Sequence, residues 1–260
     1  MFLFSRPVAG LLLTLCFPLH ALADSAANEF SGMLGAGVGI KPKYSGADDA
    51  DTRVRPVIRL DYGPFFFGSV DNISALGWKF GQTAHWTFST GVGSDFFPRQ
   101  ESDDDHLRGM GDIDVTPRAF LAATWRGDWL RAGAVASQDV GGNDQGFRFT
   151  TYAHLQWQTT DNLRVFAGPT LSWANGDYLQ TQYGVDAGQS ARSGLQRYEA
   201  DSGLENIGIE AGVDYQLTPT WVAGFRASAL RLEKEAADSP VVQDKNQMSY
   251  GLFVASTFGQ

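Results

Sequence analysis

The sequence predicts an all-β fold, a transmembrane antiparallel β-barrel of twelve strands with short periplasmic turns and long extracellular loops. Runs of about ten residues alternate apolar and polar side chains, which indicates strands with one apolar face. The predicted connections alternate between short and long, as expected when both termini lie on the periplasmic side. Five of the seven tryptophans stand beside predicted short turns, as in an aromatic girdle. These five are Trp86, Trp125, Trp129, Trp157 and Trp221.

Residues 1–23 are typical of a secretory signal peptide. Arg6 is their only charged residue, residues 7–19 are mostly apolar, and a small-x-small cleavage sequence ends at Ala23. The apolar part is too short to span a membrane as a helix. We therefore expect cleavage near Ala23, a single barrel domain over residues 24–260, and localisation in the outer membrane of a Gram-negative cell.

The composition argues against several classes of protein. With 20 basic and 29 acidic residues, the chain has a formal net charge of −9, which disfavours nucleic acid as a partner. The single cysteine, Cys16, lies in the predicted signal peptide, so the sequence predicts neither a disulfide nor a thiolate metal site after cleavage. No later segment approaches the run of about 18 apolar residues that a spanning helix requires.

Twelve strands are predicted where the alternation holds. Their ranges are 31–41, 52–61, 64–70, 74–81, 85–96, 114–126, 129–139, 146–158, 163–174, 205–217, 221–232 and 247–258. The alternation is clear in the eighth strand, where Phe147 and Phe149 share one face and Arg148 and His154 the other. Strands three and four, within residues 52–81, are short for a membrane, so a ten-stranded barrel is the alternative.

The length of each predicted connection depends on whether it follows an even-numbered or an odd-numbered strand. Those after strands 2, 4, 6, 8 and 10 are short, whereas the longest ones span residues 97–113, 174–204 and 233–246. Short turns on one side and long loops on the other are typical of an outer-membrane barrel, and a soluble β-sandwich has no reason to show this sorting. Only the short hairpin at 71–73 breaks the rule.

Three arginines share the predicted lumen face of the second strand: Arg53, Arg55 and Arg59. They have two interpretations, an anion-attracting constriction or structural pairing with lumen acids such as Glu210 and Asp214. Pairing is favoured, because side chains can largely fill the interior of a barrel of this size.

His154 is the most interesting of the histidines, since it projects into the predicted lumen. A general base is one interpretation, but no Ser, Thr or Asp stands at a motif spacing, and a polar lumen-filling residue is favoured. Outer-membrane lipases and deacylases tend to have a His two residues before a nucleophilic Ser, and neither His154, His85 nor His106 fits that spacing. We therefore predict no enzyme, no catalytic or metal residues and no cofactor.

An acidic run stands in one external loop and consists of Glu101, Asp103, Asp104 and Asp105. It has the chemistry to bind divalent cations that bridge lipopolysaccharide, or to attract cationic peptides. The favoured interpretation is a solvated loop tip.

The loop before the tenth strand contains a distinctive motif. Its residues include Tyr183, Gly184, Gln189, Ser190, Arg192, Ser193, Gly194 and Tyr198. With Pro240 before the last strand, and Lys43 and Pro56 near the start, the chain resembles the MipA/OmpV family over essentially its whole length after the leader. The resemblance implies an outer-membrane barrel that links a membrane-bound lytic transglycosylase to a bifunctional penicillin-binding synthase in murein remodelling. It supplies no catalytic residues.

Residues 184–200 of this loop are predicted to fold back into the barrel mouth or to form a short helix there, because a long structureless loop is uncommon in a compact domain. Ser190 and Ser193 would then bond to backbone, and Arg192 or Arg197 would meet lumen acids.

Three hypotheses for the function remain open. The first is a non-enzymatic scaffold for peptidoglycan enzymes, for which the short periplasmic turns offer little surface, so that strand ends and residues 24–31 would have to contribute. The second is a sensor of cationic peptides or antibiotics that feeds an envelope-stress response. The third is a narrow passive channel. Lipid and lipopolysaccharide are expected partners in each case.

Overall fold

The computed structural model describes residues 29–259, so the predicted signal peptide lies outside the described range. Twelve antiparallel strands form a closed barrel in which each strand pairs with the next and the last pairs with the first. They are β1 Phe30–Pro42, β2 Ala50–Tyr62, β3 Phe65–Val70, β4 Ile73–Gln82, β5 Trp86–Ser94, β6 Arg118–Arg126, β7 Leu130–Asp139, β8 Phe147–Thr160, β9 Leu163–Ala174, β10 Gly203–Thr218, β11 Trp221–Leu232 and β12 Asn246–Phe258. The twelve-stranded prediction is confirmed, and the ten-stranded alternative is wrong.

The alternation in sequence becomes an apolar outside and a mixed inside. Along β12, Met248, Tyr250, Leu252 and Val254 are all exposed, with Met248 66% accessible. Their neighbours in sequence face the lumen, since side chains alternate across a strand. A band of exposed apolar side chains around a closed barrel is stable when lipid is the surrounding solvent.

The aromatic residues collect at the short-turn end. Trp86 and Trp221 begin strands there, Trp129 directly precedes β7, and Trp157 lies three residues before the end of β8; all four are 43–62% exposed. An indole ring is favoured at the boundary between lipid and water, because it has an apolar body and one N–H donor.

β3 leaves the wall, whereas β4 stays paired with β5 as far as Ser74. β3 pairs with β2 only from Leu60 to Tyr62, then turns at Asp71 and Asn72, both in the left-handed conformation of a type I′ turn. Its tip lies inside the lumen, where the Asp71 carboxylate accepts a hydrogen bond from Arg148 of β8. The hairpin is therefore short because it ends within the barrel, which explains the exception to the parity rule.

The departure of β3 leaves β2 without a partner strand on that side over residues 50–59, among the strands that the structure describes. The loop after β5 approaches this edge. Arg53 lies 3.7 Å from the Asp103 carboxylate, and the Arg55 guanidinium lies 4.6 Å from the centre of the Phe97 ring. Two of the predicted lumen arginines thus hold an outer loop against the wall.

β6 begins at Arg118, four residues later than predicted from the sequence. Pro117 has no N–H for the ladder, and the Thr116 hydroxyl donates to Asp139 at 2.6 Å, so residues 114–117 belong to the preceding loop.

The longer connections lie at one end of the barrel, whose opening we call the outer mouth, and four of the five pack together over it. The five are L1 (43–49), L2 (95–117), L3 (140–146), L4 (175–202) and L5 (233–245). L4 contains helices α1 Gly176–Tyr183 and α2 Ala187–Ser193, and L5 contains α3 Lys234–Ala237. Of the helices in residues 29–259, none is long and apolar enough to cross a membrane.

The apolar core of these packed connections comes from four different loops. Tyr44 of L1, Leu107 and Met110 of L2, Val185 of L4 and Val241 of L5 form one buried cluster. We use the term loop cap for L1, L2, L4 and L5 together.

Candidate functional site

A buried ion-pair network crosses the lumen near the long-loop ends of β8, β9 and β10. Arg148 donates to Asp71 at 2.6 Å, to Glu205 at 2.8 Å and to the Ser172 hydroxyl at 2.9 Å. Thr150 also donates to Asp71 at 3.0 Å. The network separates an upper cavity of about 290 Å³, below the loop cap, from a lower cavity of about 650 Å³ toward the short turns.

Tyr183 connects the loop motif to this network. Its buried hydroxyl lies 3.2 Å from the Glu205 carboxylate and 2.8 Å from the Ser45 hydroxyl. Burial raises the pKa of the Tyr183 hydroxyl well above its usual value, so it stays protonated and can donate. Gly184 follows without a side chain because a Cβ there would overlap the Gln180 amide.

The next part of the motif is the short helix that the sequence predicted. Asp186 and Gln189 form a reciprocal capping box at the start of α2, with both bonds 2.8–2.9 Å. The Ser190 hydroxyl donates to the Leu195 carbonyl, and that of Ser193 to the Gln189 carbonyl, each at 2.7 Å. Gly194 ends the helix in the left-handed conformation. The predicted serine–backbone bonds are confirmed.

The motif arginines do not meet lumen acids. Arg192 Nε donates to the Gly109 carbonyl of L2 at 3.1 Å, so it joins two outer loops. Arg197 lines a surface groove of L4 and has no carboxylate within 4.0 Å in residues 29–259. The expected contact was wrong because L4 folds onto L2 before it reaches the lumen.

Tyr198 closes the motif. Its hydroxyl donates to the Glu235 carbonyl of L5 at 2.8 Å, and its backbone forms an isolated bridge with Val185. Burial, with the nearby Glu235 carboxylate, raises the pKa of Tyr198 to about 12. The family-motif residues thus hold the loop cap together.

Gly109 provides a test of the contact between α2 and L2. Its φ is +86°, and a Cβ there would stand 2.7 Å from the backbone of Ser193. Gly109→Ala should therefore loosen α2 and increase its hydrogen exchange. Gly111→Ala is the matched control, because its φ is +76° but nothing lies within 4 Å. Each substitution costs about 1–2 kcal/mol in left-handed strain. Equal exchange of α2 in the two variants would contradict the proposed contact.

The acidic run of L2 is largely engaged within the protein. The Asp104 carboxylate accepts from the His106 N–H at 2.9 Å and lies 3.1 Å from Lys43 Nζ, while Asp105 pairs with Arg108. The Glu101 carboxylate accepts from the Gly111 N–H at 2.8 Å. In the described part of the chain, no group of three or more His, Cys, Asp or Glu residues has an arrangement suited to a metal ion.

These contacts predict that acid loosens L2. The His106 N–H, with Lys43, lowers the pKa of Asp104, and N–H groups of Gly109 and Gly111 lower that of Glu101. A carboxyl whose pKa is lower in the folded state stabilises it above the unfolded value of about 4, and this contribution is lost as pH falls further.

Pepsin should therefore cut L2 faster at pH 2.5 than at pH 4.5 when each rate is divided by the rate on an unfolded substrate at the same pH. The strands should resist cleavage at both pH values. At pH 4.5, Asp104→Asn should reproduce part of the effect, and an unchanged relative rate of cleavage would contradict the prediction.

The lower cavity is rich in charge. Two carboxylates each hold two cations: Asp61 contacts Arg59 and Lys79 at 2.9 and 2.6 Å, and Asp214 contacts Arg164 and Arg226 at 2.9 and 2.6 Å. His154 lies in the lumen, as predicted, with Nε2 3.4 Å from Glu210. This separation is within ion-pair range, but the pair lacks hydrogen-bond geometry.

From the sequence we expected the β2 arginines to pair with lumen acids such as Glu210 and Asp214. Arg53 and Arg59 do pair with carboxylates, but Glu210 and Asp214 are not their partners. Arg53 and Arg55 contact L2, and Arg59 is held by the carboxylate of its own strand. Three strands separate β2 from β10 around the barrel, so the predicted partners lie elsewhere on the wall.

Sequence reasoning missed two lumen cations, Arg126 and Arg131. They are direct cross-strand partners at the short turn between β6 and β7, and Arg131 in turn faces His154 on β8. We call these three residues the cationic row. The sequence did contain an indication of Arg126. Alternate side chains of β6 face the lumen from Arg118 onward, and Arg126 is one of them.

A closed antiparallel barrel with an apolar outer surface, a charged lumen and a loop cap is a β-barrel of the outer-membrane type. Residues 34–258 match the family described as MltA-interacting protein MipA, and the chain belongs to this family. The MltA-interacting proteins of Escherichia coli (strain K12) and Shigella flexneri are each 27% identical to it over 236 residues, covering 89% of this chain and 92% of theirs.

Solved structures with a similar fold include the NanC porin, with a TM-score of 0.45 and 12% identity over 86% of this chain and 100% of that one. A bacterial polysaccharide outer-membrane secretin has a TM-score of 0.45 and 10% identity, covering 90% and 99% of the two chains.

Proposed function

We propose that this chain is a non-enzymatic outer-membrane adaptor that brings a murein hydrolase and a murein synthase together on its periplasmic side. The observation that carries the proposal is membership of the MltA-interacting protein family over most of the chain. Curated relatives bear the same name, which denotes binding to another protein.

The geometry supports a docking surface at the short-turn end, which faces the periplasm in outer-membrane barrels. The β7–β8 ladder starts at Leu130 and Leu155, so β8 continues from Gln156 to Thr160 beyond the end of β7. With the start of β9 it forms a projecting hairpin, whose residues 157–162 are all exposed. This hairpin offers a partner more surface than the turn alone, while residues 24–28, also considered as a contact, lie outside the described range.

The sensor hypothesis receives less support from the geometry. The carboxylates of Asp103, Asp104 and Asp105 lie within 3.7 Å of Arg53, Lys43 and Arg108 respectively. Their charge is already partly balanced, which reduces the attraction for a cationic peptide.

The channel hypothesis also receives less support, because two barriers stand in series along the lumen. The loop cap covers the outer mouth, and the Arg148 network crosses the lumen below it. A passive channel needs a continuous water-filled path.

A pull-down tests the adaptor. Purified lytic transglycosylase and bifunctional synthase are offered to the detergent-solubilised full chain, to a variant with a ten-residue Gly/Ser insertion between Asp161 and Asn162, and to a control with the same insertion between Gly142 and Asn143. We expect the wild-type chain and the control to retain both enzymes, and the hairpin insertion to retain less. Failure of the wild-type chain to retain either enzyme contradicts the adaptor, and full retention by the hairpin variant contradicts this docking surface.

A further inference from the structure

The cationic row contains two buried nitrogens without a hydrogen bond, and one of them, His154 Nε2, lies 3.4 Å from the Glu210 carboxylate. Neither Arg126 nor Arg131 has a carboxylate within 4.0 Å in residues 29–259, although the other arginines of the lower cavity do. The Arg131 Nε and the His154 Nε2 are buried and make no hydrogen bond, and the His154 residue is only 6% exposed. Both side chains line the lower cavity.

The row is held in place by its neighbours. Gly133 leaves space for the Tyr152 ring, since a Cβ there would stand 2.6 Å from the Tyr152 hydroxyl. That ring stacks on His154 with centroids 4.9 Å apart, and the Arg131 guanidinium lies 5.6 Å from its centre. The Phe166 ring also packs against His154, with ring centroids 5.3 Å apart. Arg131 and His154 are therefore preorganised, and the exposed Arg126 faces Arg131 across the strand pair.

This arrangement of like charges is unfavourable by itself. Like charges directly opposite each other on paired strands destabilise a sheet, and a buried donor without a partner has a desolvation cost. An oxyanion between the two guanidinium groups would balance both charges and accept their N–H donors, and arginine is suited to such bidentate recognition.

We propose that the cationic row binds the carboxylate or phosphate group of a small polar molecule that enters from the short-turn mouth. The lower cavity, about 650 Å³, has room for a monosaccharide derivative. Hydroxyl and amide side chains line it, which suits a polyhydroxylated ligand. They include Gln82, Thr87, Ser89, Thr124 and Thr170. The ligand class is therefore a sugar acid or a sugar phosphate, and this site is independent of the proposed adaptor role.

Isothermal titration calorimetry of the full chain in detergent tests the proposal. The probes are glucuronate for the carboxylate, glucose 6-phosphate for the phosphate, and glucose as a neutral compound of similar size. We expect at least one anion to bind and glucose not to bind. The stronger of the two anions identifies which group the site prefers. No binding by either anion, or equal binding by glucose, would overturn the proposal.

Variants locate the site. The double variant Arg126→Gln/Arg131→Gln should weaken anion binding by at least about tenfold, because it removes charged hydrogen-bond donors. It should also resist urea at least as well as the wild-type chain, since two like charges are removed. The control is Arg108→Gln, which removes the same charge from a side chain that is 77% exposed in L2. This variant should bind the anion as the wild-type chain does. Unchanged anion binding by the double variant would contradict the assignment of the site to Arg126 and Arg131.

Discussion

Replacing Arg148 with Met should lower the free energy of unfolding by about 3–5 kcal/mol, because Asp71 and Glu205 would lose the cation that compensates their buried charges. The side chains of all three residues are at most 12% exposed, so water solvates the remaining carboxylates only partly. Urea unfolding followed by tryptophan fluorescence, with the protein in lipid vesicles, measures the change.

The matched control removes all three charges at once. Arg148→Met with Asp71→Asn and Glu205→Gln should recover most of the lost stability, since neutral groups of similar shape have a smaller desolvation cost. A single variant within 1 kcal/mol of the wild-type chain would show that the network is hydrated and contributes little.

Replacing residues 184–200 with a short Gly/Ser linker should open the outer mouth while the strands remain folded. The change removes Val185, Leu195 and Tyr198 from the apolar cluster of the loop cap. Burial of one such side chain contributes about 1.5–3 kcal/mol, so the rest of the loop cap should open locally. Single-channel conductance should rise several-fold, and proteases should reach L2 and L5.

Two comparisons make that measurement specific. Replacing residues 141–145 of L3 with a linker should leave conductance unchanged, because L3 does not belong to the apolar cluster. A variant that combines the 184–200 replacement with Arg148→Met should have a higher conductance than either variant alone, since the two barriers lie in series. If the 184–200 variant kept both the conductance and the protease resistance of the wild-type chain, the loop cap would not seal the mouth.

The strands could be predicted from the sequence because the alternation of side chains is a local property. β8 is an example, since Phe147 and Arg148 were assigned to opposite faces and the structure agrees. The inward path of the β3–β4 hairpin could not be predicted, because it depends on Asp71 reaching Arg148, 77 residues along the chain.

The site was predicted less completely than the fold. The alternation of side chains correctly assigned His154 and Glu210 to the lumen. Whether they lie close to each other depends on the register of β8, β9 and β10 together. The cationic row was missed for the same reason, since Arg126 and Arg131 become neighbours only once the β6–β7 register is known. The helix in L4 had a local signal, because Asp186 and Gln189 stand at capping-box spacing.

The loop cap determines where a label can be attached to the outside of the protein. L1, L2, L4 and L5 share one interior, so an epitope inserted into any of them would disturb the others. L3 is short, and its residues 141–144 are all exposed. A fluorophore or antibody tag between Gly142 and Asn143 would therefore mark the long-loop end of the barrel without altering the remaining loops.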